Sequence, residues 1–222
     1  MADWLLEVDW LVVVQAVASV ATLMVALKAL DIWKNQKRTD RKLLLVDEIT
    51  DAVHEFIVAI ATPTQILDFI HIAIDGKKYD RDLETKYKHP QAIRLIETEG
   101  RRYSSQLISE LSPCRPIVHR LESLLVKAQV FSIDNFDQCD QACRLIIWQY
   151  ERLNAFYSIL SSPNLNWEHP KISESLDKIL EITPASIRSH IDENQVIALN
   201  FLRDLYAKEL DISKKAKHSW TR

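Results

Sequence analysis

The sequence has very little glycine: Gly76 and Gly100 are the only two among 222 residues. An average protein has about 7% glycine, because tight hairpins and turns with positive φ depend on it. So little glycine excludes a fold built mainly from β-hairpins. The composition therefore predicts an all-α protein.

The sequence also has few cysteines, a small net charge and no familiar catalytic motif. Three cysteines, an odd number, do not make a disulfide framework and indicate reduced thiols in a cytosolic domain. The net charge is −3, which gives no reason to expect a nucleic-acid partner. A phosphate-binding glycine loop, an HExxH motif and a GxSxG motif are all absent from the sequence. We therefore expect no cofactor, no metal and no nucleic acid.

Charge is missing altogether from the 18 residues between Trp10 and Leu27. A helix that continues to Trp33 is about 35 Å long, close to the thickness of a bilayer with its interfaces. Acidic residues precede this stretch and basic residues follow it, so the positive-inside rule places the N-terminus outside and the rest in the cytoplasm. The sequence thus predicts a transmembrane helix in the lipid bilayer. The residues expected at its membrane interface are Trp10, Lys28, Trp33, Lys34, Lys37 and Arg38.

The weakly apolar residues of this span recur at steps of four and three, which places them on one side of a helix. They are Gln15, Ser19, Thr22, Ala26 and Ala29. Small and hydroxyl side chains let helices approach closely in lipid, and a glutamine there favours a polar partner. This pattern predicts an association face and a homo-oligomer. A polar-lined conducting passage and a span without any special face remain as alternatives.

The segment VVVQAVASVATLMVALKALDIWKNQKR resembles the anchors of bacterial proteins from prophage and phage-defence loci. Those proteins have one N-terminal span followed by a basic and then helical cytoplasmic part. The resemblance covers about the first fifth of the chain and implies a bacterial inner-membrane location, without assigning roles to residues. We expect the protein to act by associating with itself or with another membrane or cytoplasmic protein, as an accessory, sensor or membrane effector, including in anti-phage defence. In this hypothesis the long N-terminal helix transmits changes between the bundle and the membrane.

The expected layout is an N-terminal transmembrane helix that continues into a cytoplasmic helical bundle. Its parts are a short external N-terminus at 1–9, the transmembrane helix at 10–33, a juxtamembrane helix at 34–62, a bundle of five to six helices at 63–213 and a basic tail at 214–222. Apolar residues at helical spacing predict the bundle helices at about 65–75, 90–111, 114–130, 135–160, 171–181 and 184–210. Gly100 falls on the apolar seam of its helix, which indicates close helix packing.

Two carboxylate–histidine pairs give a lower-ranked alternative. Asp51 with His54 and Asp68 with His71 have the spacing by which a helix can present two ligands to one metal ion. A turn near Pro63 would bring the two pairs to similar heights in a helical hairpin. On a helical wheel, however, both pairs point away from the apolar stripes, which favours solvated residues.

The runner-up function is a membrane-tethered helical hydrolase or nuclease, metal-dependent, that uses these residues or His119. Arg115 and His119 resemble the motif of the helical HEPN ribonucleases, but only three residues separate them and the first of these is a proline. Cys139 and Cys143 resemble the start of an iron–sulfur ligand run, yet both fall on an apolar seam and are expected in the core. A fully soluble bundle that buries the first helix is the third alternative.

Overall fold

The computed structural model describes residues 10–80 and 86–218, with the side chains of residues 12–80 and 86–211. Within these residues the chain forms α-helices, one short 3-10 helix at Lys77–Tyr79 and no strand. The α-helices are α1 (Trp10–Gly76), α2 (Pro90–Leu111), α3 (Cys114–Val130), α4 (Asp137–Leu160), α5 (Pro170–Leu180) and α6 (Pro184–His218). The predicted all-α fold is therefore confirmed. The predicted external N-terminus at 1–9 lies outside the described residues.

The described chain divides into two compact units, one within residues 45–205 and the other formed by residues 10–44 together with 206–218. The larger unit contains one hydrophobic core, and each of the six α-helices contributes side chains to it. Phe56 of α1 and Phe156 of α4 are the largest fully buried side chains in it. Within this unit α2 packs against α4 and α3.

The apolar seams predicted from the sequence are the buried faces of the helices. On α4, for example, the positions at helical spacing that include Cys139 and Cys143 continue through Ile146, Leu153 and Leu160, and all of these are buried. Tyr157 on the same side is half-buried. Each seam follows the three- and four-residue steps that align side chains along one side of a helix. Periodicity alone therefore identified the core of the larger unit.

Gly100 lies where α2 crosses the end of α4. A Cβ atom at this position would be 2.5 Å from the main-chain oxygen of Leu160. Only a residue without a side chain allows the two backbones to approach this closely. The close helix packing predicted for Gly100 is confirmed.

The predicted turn at Pro63 is wrong, because α1 continues through this proline to Gly76. Proline removes one main-chain hydrogen bond and usually bends or ends a helix. Here Pro63 is itself buried, and core residues on both sides of it, Ile60 and Leu67, hold the two turns in place. The buried Thr64 hydroxyl donates to the main-chain oxygen of Ile60 at 2.8 Å. Packing on both sides outweighs the local preference for a break.

Two helix ends also differ from the prediction. Helix α4 begins at Asp137 rather than near Asn135, because Asn135 has a φ of 57°, in the left-handed region that a right-handed helix cannot include. Helix α6 continues to His218 instead of ending near Leu210. The predicted basic tail is therefore helical as far as His218, and residues 219–222 lie outside the described part.

Candidate membrane-spanning segment and neighbouring polar sites

The N-terminal part of α1 is apolar and exposed along its whole circumference. An 18-residue window in it has a mean hydropathy of 1.9, and none of its residues is buried. Core helices of soluble proteins reach such hydropathy only when neighbours cover them. Among the described residues, α1 is the one helix long and apolar enough to cross a membrane.

Hydroxyl groups in this segment form hydrogen bonds within their own helix. Ser19 Oγ donates to the main-chain oxygen of Gln15 at 2.8 Å, and Thr22 Oγ1 donates to that of Ala18 at 2.8 Å. Such bonds satisfy the hydroxyl donors without a neighbouring helix. The Gln15 carboxamide has no hydrogen-bond partner among the described residues. Gln15 is thus the polar group of the predicted association face that still lacks a partner.

Basic residues follow the apolar segment on α1. Lys28, Lys34 and Arg38 are exposed, and Lys37 Nζ lies 5.0 Å from the centroid of the Trp33 ring. An ammonium group over an indole face is a favourable contact. The predicted interface residues with described side chains therefore lie on the surface of α1, whereas the side chain of Trp10 lies outside the described part.

A buried ion pair joins α1 to the end of α6 within the smaller unit. Lys42 Nζ lies 2.8 Å from Glu209 Oε1, and Thr39 Oγ1 donates to Glu209 Oε2 at 3.2 Å. Glu209 is only 4% exposed, so both its carboxylate oxygens are held by donors away from water. Sequence reasoning missed this pair. One signal could have indicated that Glu209 is buried: it continues the spacing of the apolar face of α6 after Leu202 and Leu205.

The structure does not bring the two carboxylate–histidine pairs together. Because α1 is continuous, Asp51 and Asp68 are 17 residues apart on one helix, or about 26 Å at 1.5 Å per residue. Asp51, His54 and Asp68 are exposed, whereas His71 Nε2 lies 2.9 Å from the main-chain oxygen of Ile182. Among the residues that the structure describes, no three His, Cys, Asp or Glu side chains form a metal-binding group.

His119, the other residue of the hydrolase hypothesis, is exposed on α3. Its Nδ1 lies 3.3 Å from Glu122 Oε2, one helical turn along the same helix. This arrangement is that of an exposed side-chain contact between neighbouring turns of one helix.

The three cysteines are free thiols buried in the core of the larger unit. Burial raises the pKa of the Cys114 thiol to about 11. The hydrogen bond with Cys139, together with burial, raises the pKa of Cys143 above its ordinary value. Protonated, buried thiols are poor nucleophiles and poor metal ligands. The predicted core role of Cys139 and Cys143 fits these environments.

Fold and surface together define an all-helical protein with one N-terminal helix that is able to span a membrane. Comparisons with protein-family models, with curated proteins and with solved structures find no match to this chain.

Proposed function

We propose that residues 10–33 anchor the protein in the bacterial inner membrane as a single transmembrane helix. One observation carries this proposal: the apolar window of α1 has no buried residue, whereas the larger unit packs most of its apolar side chains into one core. In water such a surface would be a large unfavourable apolar patch, whereas in hydrocarbon it is matched to its solvent. The same observation speaks against the soluble-bundle alternative, which requires this segment to be covered.

Alkaline carbonate washing of membranes that carry the full-length protein tests the anchor. We expect the wild-type protein to stay with the lipid. The double variant Val17→Asp/Leu23→Asp should be released, because each charge in mid-span costs about 3 kcal/mol. A matched control is Val58→Asp/Phe69→Asp, which changes two similarly exposed apolar residues of the larger unit and should stay with the lipid. Release of the wild-type protein would refute the anchor.

The proposed orientation has the N-terminus outside and the helical bundle in the cytoplasm, as the basic residues after the segment favour. The native cysteines give little background labelling, because all three are buried. In intact cells, a membrane-impermeant maleimide should label an Ala2→Cys variant. It should label Lys127→Cys, at an exposed position of α3, only after the cells are opened. The reverse pattern would overturn the orientation.

The span also associates with a second copy of itself in this proposal, through Gln15. Two copies inserted in the same direction place their Gln15 side chains at the same depth. A carboxamide both donates and accepts, so two of them can form reciprocal hydrogen bonds across a two-fold axis. The Ser19 and Thr22 hydroxyls already donate to main-chain oxygens of their own helix. These two residues therefore act mainly through their small side chains, which let the two helices approach closely.

Chemical cross-linking in membranes distinguishes these roles. Gln15→Leu should lower the cross-linked dimer about tenfold, since interhelical polar contacts in lipid contribute about 1–2 kcal/mol. Ser19→Ala should have a much smaller effect, and Gln65→Leu, at an exposed position of α1 in the larger unit, should have none. Replacing both Ser19 and Thr22 by leucine should also weaken the dimer, through bulk. Equal dimer yield in wild type and Gln15→Leu would remove this part of the proposal.

The biological role proposed for such an anchored bundle is that of an accessory, sensor or membrane effector that acts by protein–protein association. The resemblance of its anchor to those encoded in prophage and phage-defence loci supports a role in anti-phage defence. Bacteria that express the protein should then give fewer plaques than bacteria that express the Val17→Asp/Leu23→Asp variant. Identical plating of several unrelated phages on both strains would contradict a defence role.

A further inference from the structure

Positive charge is concentrated in the smaller unit, although the whole chain has a net charge of −3. The α1 segment 28–42 has six basic and two acidic residues, and the α6 segment 206–218 has four basic and two acidic residues. With histidine neutral, these two segments together therefore have a net charge of +6. A local excess of this sign favours an anionic partner.

The excess on α1 consists of exposed side chains that ion pairs do not neutralise. Five basic residues of the segment have no carboxylate at ion-pair distance among the described residues. They are Lys28, Lys34, Lys37, Arg38 and Arg41. Only Lys42 is paired, with the buried carboxylate of Glu209. The exposed cations of α1 are therefore available to an anion from outside the chain.

Helix α6 follows α1 towards the apolar segment. Thr39 and Lys42 both contact Glu209, so the two helices lie side by side at this level. Residues 206–218 belong to the same compact unit as residues 10–44, and α6 therefore continues from Glu209 towards the N-terminus of α1. The nine residues from Glu209 to His218 extend about 14 Å at 1.5 Å per residue, which is also the distance along α1 from Lys42 to Trp33.

The burial of α1 indicates the same course of α6. In the otherwise exposed stretch 28–38, only Ala29 and Ile32 are half-buried, and Thr39 and Leu43 continue the same side of the helix. The other described element of the smaller unit is the end of α6, which therefore lies along this side. Its last turns reach the level at which the proposed span meets the lipid headgroups. Three lysines belong to these turns: Lys214, Lys215 and Lys217.

We propose that the two segments form a basic collar that binds the anionic headgroups of lipids such as phosphatidylglycerol in the cytoplasmic leaflet. The collar consists of Lys34, Lys37 and Arg38 of α1 and Lys214, Lys215 and Lys217 of α6. This inference rests on the anchor proposed above and adds a lipid partner to it. Because the collar directly follows the apolar segment, the anion that it meets is a headgroup rather than a soluble phosphate. Headgroup binding then holds the last turns of α6 at the membrane surface.

Hydrogen exchange of the main-chain amides of residues 210–218 tests the collar in the full-length protein, reconstituted in lipid nanodiscs. Nanodiscs of phosphatidylcholine alone are compared with nanodiscs that contain about 30% phosphatidylglycerol. Exchange should be at least about tenfold slower in the anionic nanodiscs, since the attraction of one lysine to an anionic surface shifts an equilibrium about fivefold. About 0.5 M salt should remove the difference by screening it.

A triple variant removes the charge of α6 from the collar, and its exchange should be the same in both kinds of nanodisc. The variant is Lys214→Gln/Lys215→Gln/Lys217→Gln. Its own exchange in phosphatidylcholine serves as the reference, so that a change in the intrinsic stability of the helix end does not imitate lost lipid binding.

A matched control removes the same charge from exposed positions of the larger unit and should keep the wild-type difference between the two lipids. The control is Lys127→Gln/Lys171→Gln/Arg188→Gln. Three outcomes overturn the collar alone: equal exchange of the wild type in both lipids, a wild-type difference in the collar variant, or loss of the difference in the control. Loss of the wild-type protein from phosphatidylcholine nanodiscs has another meaning, because it overturns the anchor and the collar with it.

Discussion

Two stretches of helix α1, residues 12–27 and residues 45–60, are both rich in aliphatic side chains, yet only the second is packed in a core. In the second stretch charged residues such as Asp47 and Asp51 alternate with the apolar ones, so that the apolar side chains form one stripe. In the first stretch there is no charge on any side. A stripe needs a protein partner on one side only, whereas a helix that is apolar all round needs an apolar surrounding.

The comparison also shows why the content of aliphatic residues alone does not separate the two stretches. A buried helix and a lipid-facing helix can have similar content of valine, leucine and isoleucine. What differs is the distribution of polar residues around the axis. The predictions below test this difference by comparing buried positions with exposed ones.

The largest effect should come from removing a core aromatic ring of α1. Phe56 is 0% exposed, whereas Phe69 on the same helix is 64% exposed. We expect Phe56→Ala to lower the free energy of unfolding of the larger unit by about 4 kcal/mol, through lost burial and the cavity left behind. Phe69→Ala should change it by about 0.5 kcal/mol or less. Thermal unfolding followed by circular dichroism measures both, and equal losses would contradict the assignment of the buried face.

The ion pair in the smaller unit should rank second. Lys42→Met leaves the Glu209 carboxylate buried without a counter-charge, which should cost about 3 kcal/mol of local stability. Hydrogen exchange of the main-chain amides of residues 206–211 should then speed up. Lys178→Met removes an exposed ion pair instead and should leave exchange in its own helix nearly unchanged.

A second variant checks the cause of that effect. Lys42→Met/Glu209→Met removes both charges and should restore most of the lost protection, because two apolar side chains can replace a buried ion pair. If the double variant were as unprotected as Lys42→Met alone, the loss would come from packing rather than from an unpaired charge.

Much of the fold was predictable because each bundle helix is amphipathic along its own length. The seam that includes Cys139 and Leu153, and the packing role of Gly100, needed only local spacing. The continuation of α1 through Pro63 was not predictable in this way. It depends on core contacts at Ile60 and Leu67, and local sequence does not show whether such contacts outweigh a proline.

The polar sites were less predictable than the core for a related reason. Lys42 and Glu209 are 167 residues apart in sequence, so nothing local indicates that they meet. A cleft lined by residues 86–93 and 167–176 is likewise formed by two segments about 80 residues apart, and local sequence does not indicate that they meet. The fully exposed position of the apolar segment, in contrast, follows from its lack of any charged residue.

The two glycines give the third prediction, which compares close contact with open space. Gly100→Ala places a methyl group against the Leu160 carbonyl and should cost about 2 kcal/mol, through forced separation of α2 and α4. A Cβ at Gly76 would have nothing within 4 Å, so Gly76→Ala should be neutral or slightly stabilising. Thermal unfolding of the two variants provides the measurement. A neutral Gly100→Ala would mean that α2 and α4 can separate at little cost.

The smallest expected effect is a pH dependence of stability. Residues 12–27 contain no acidic or basic group, so the test uses a carboxylate of the larger unit. Hydrogen bonds from Lys88 and then from His89 lower the pKa of Asp177 below its ordinary value. A carboxyl with a lowered folded-state pKa adds stability above its unfolded pKa of about 3.9, and this stability is lost as the pH falls through the folded-state value. The difference in melting temperature between wild type and Asp177→Asn should therefore be constant near neutral pH and shrink below about pH 4. A difference that stays the same down to the acid end of the titration would show that the Asp177 contacts contribute through shape alone, and not through charge.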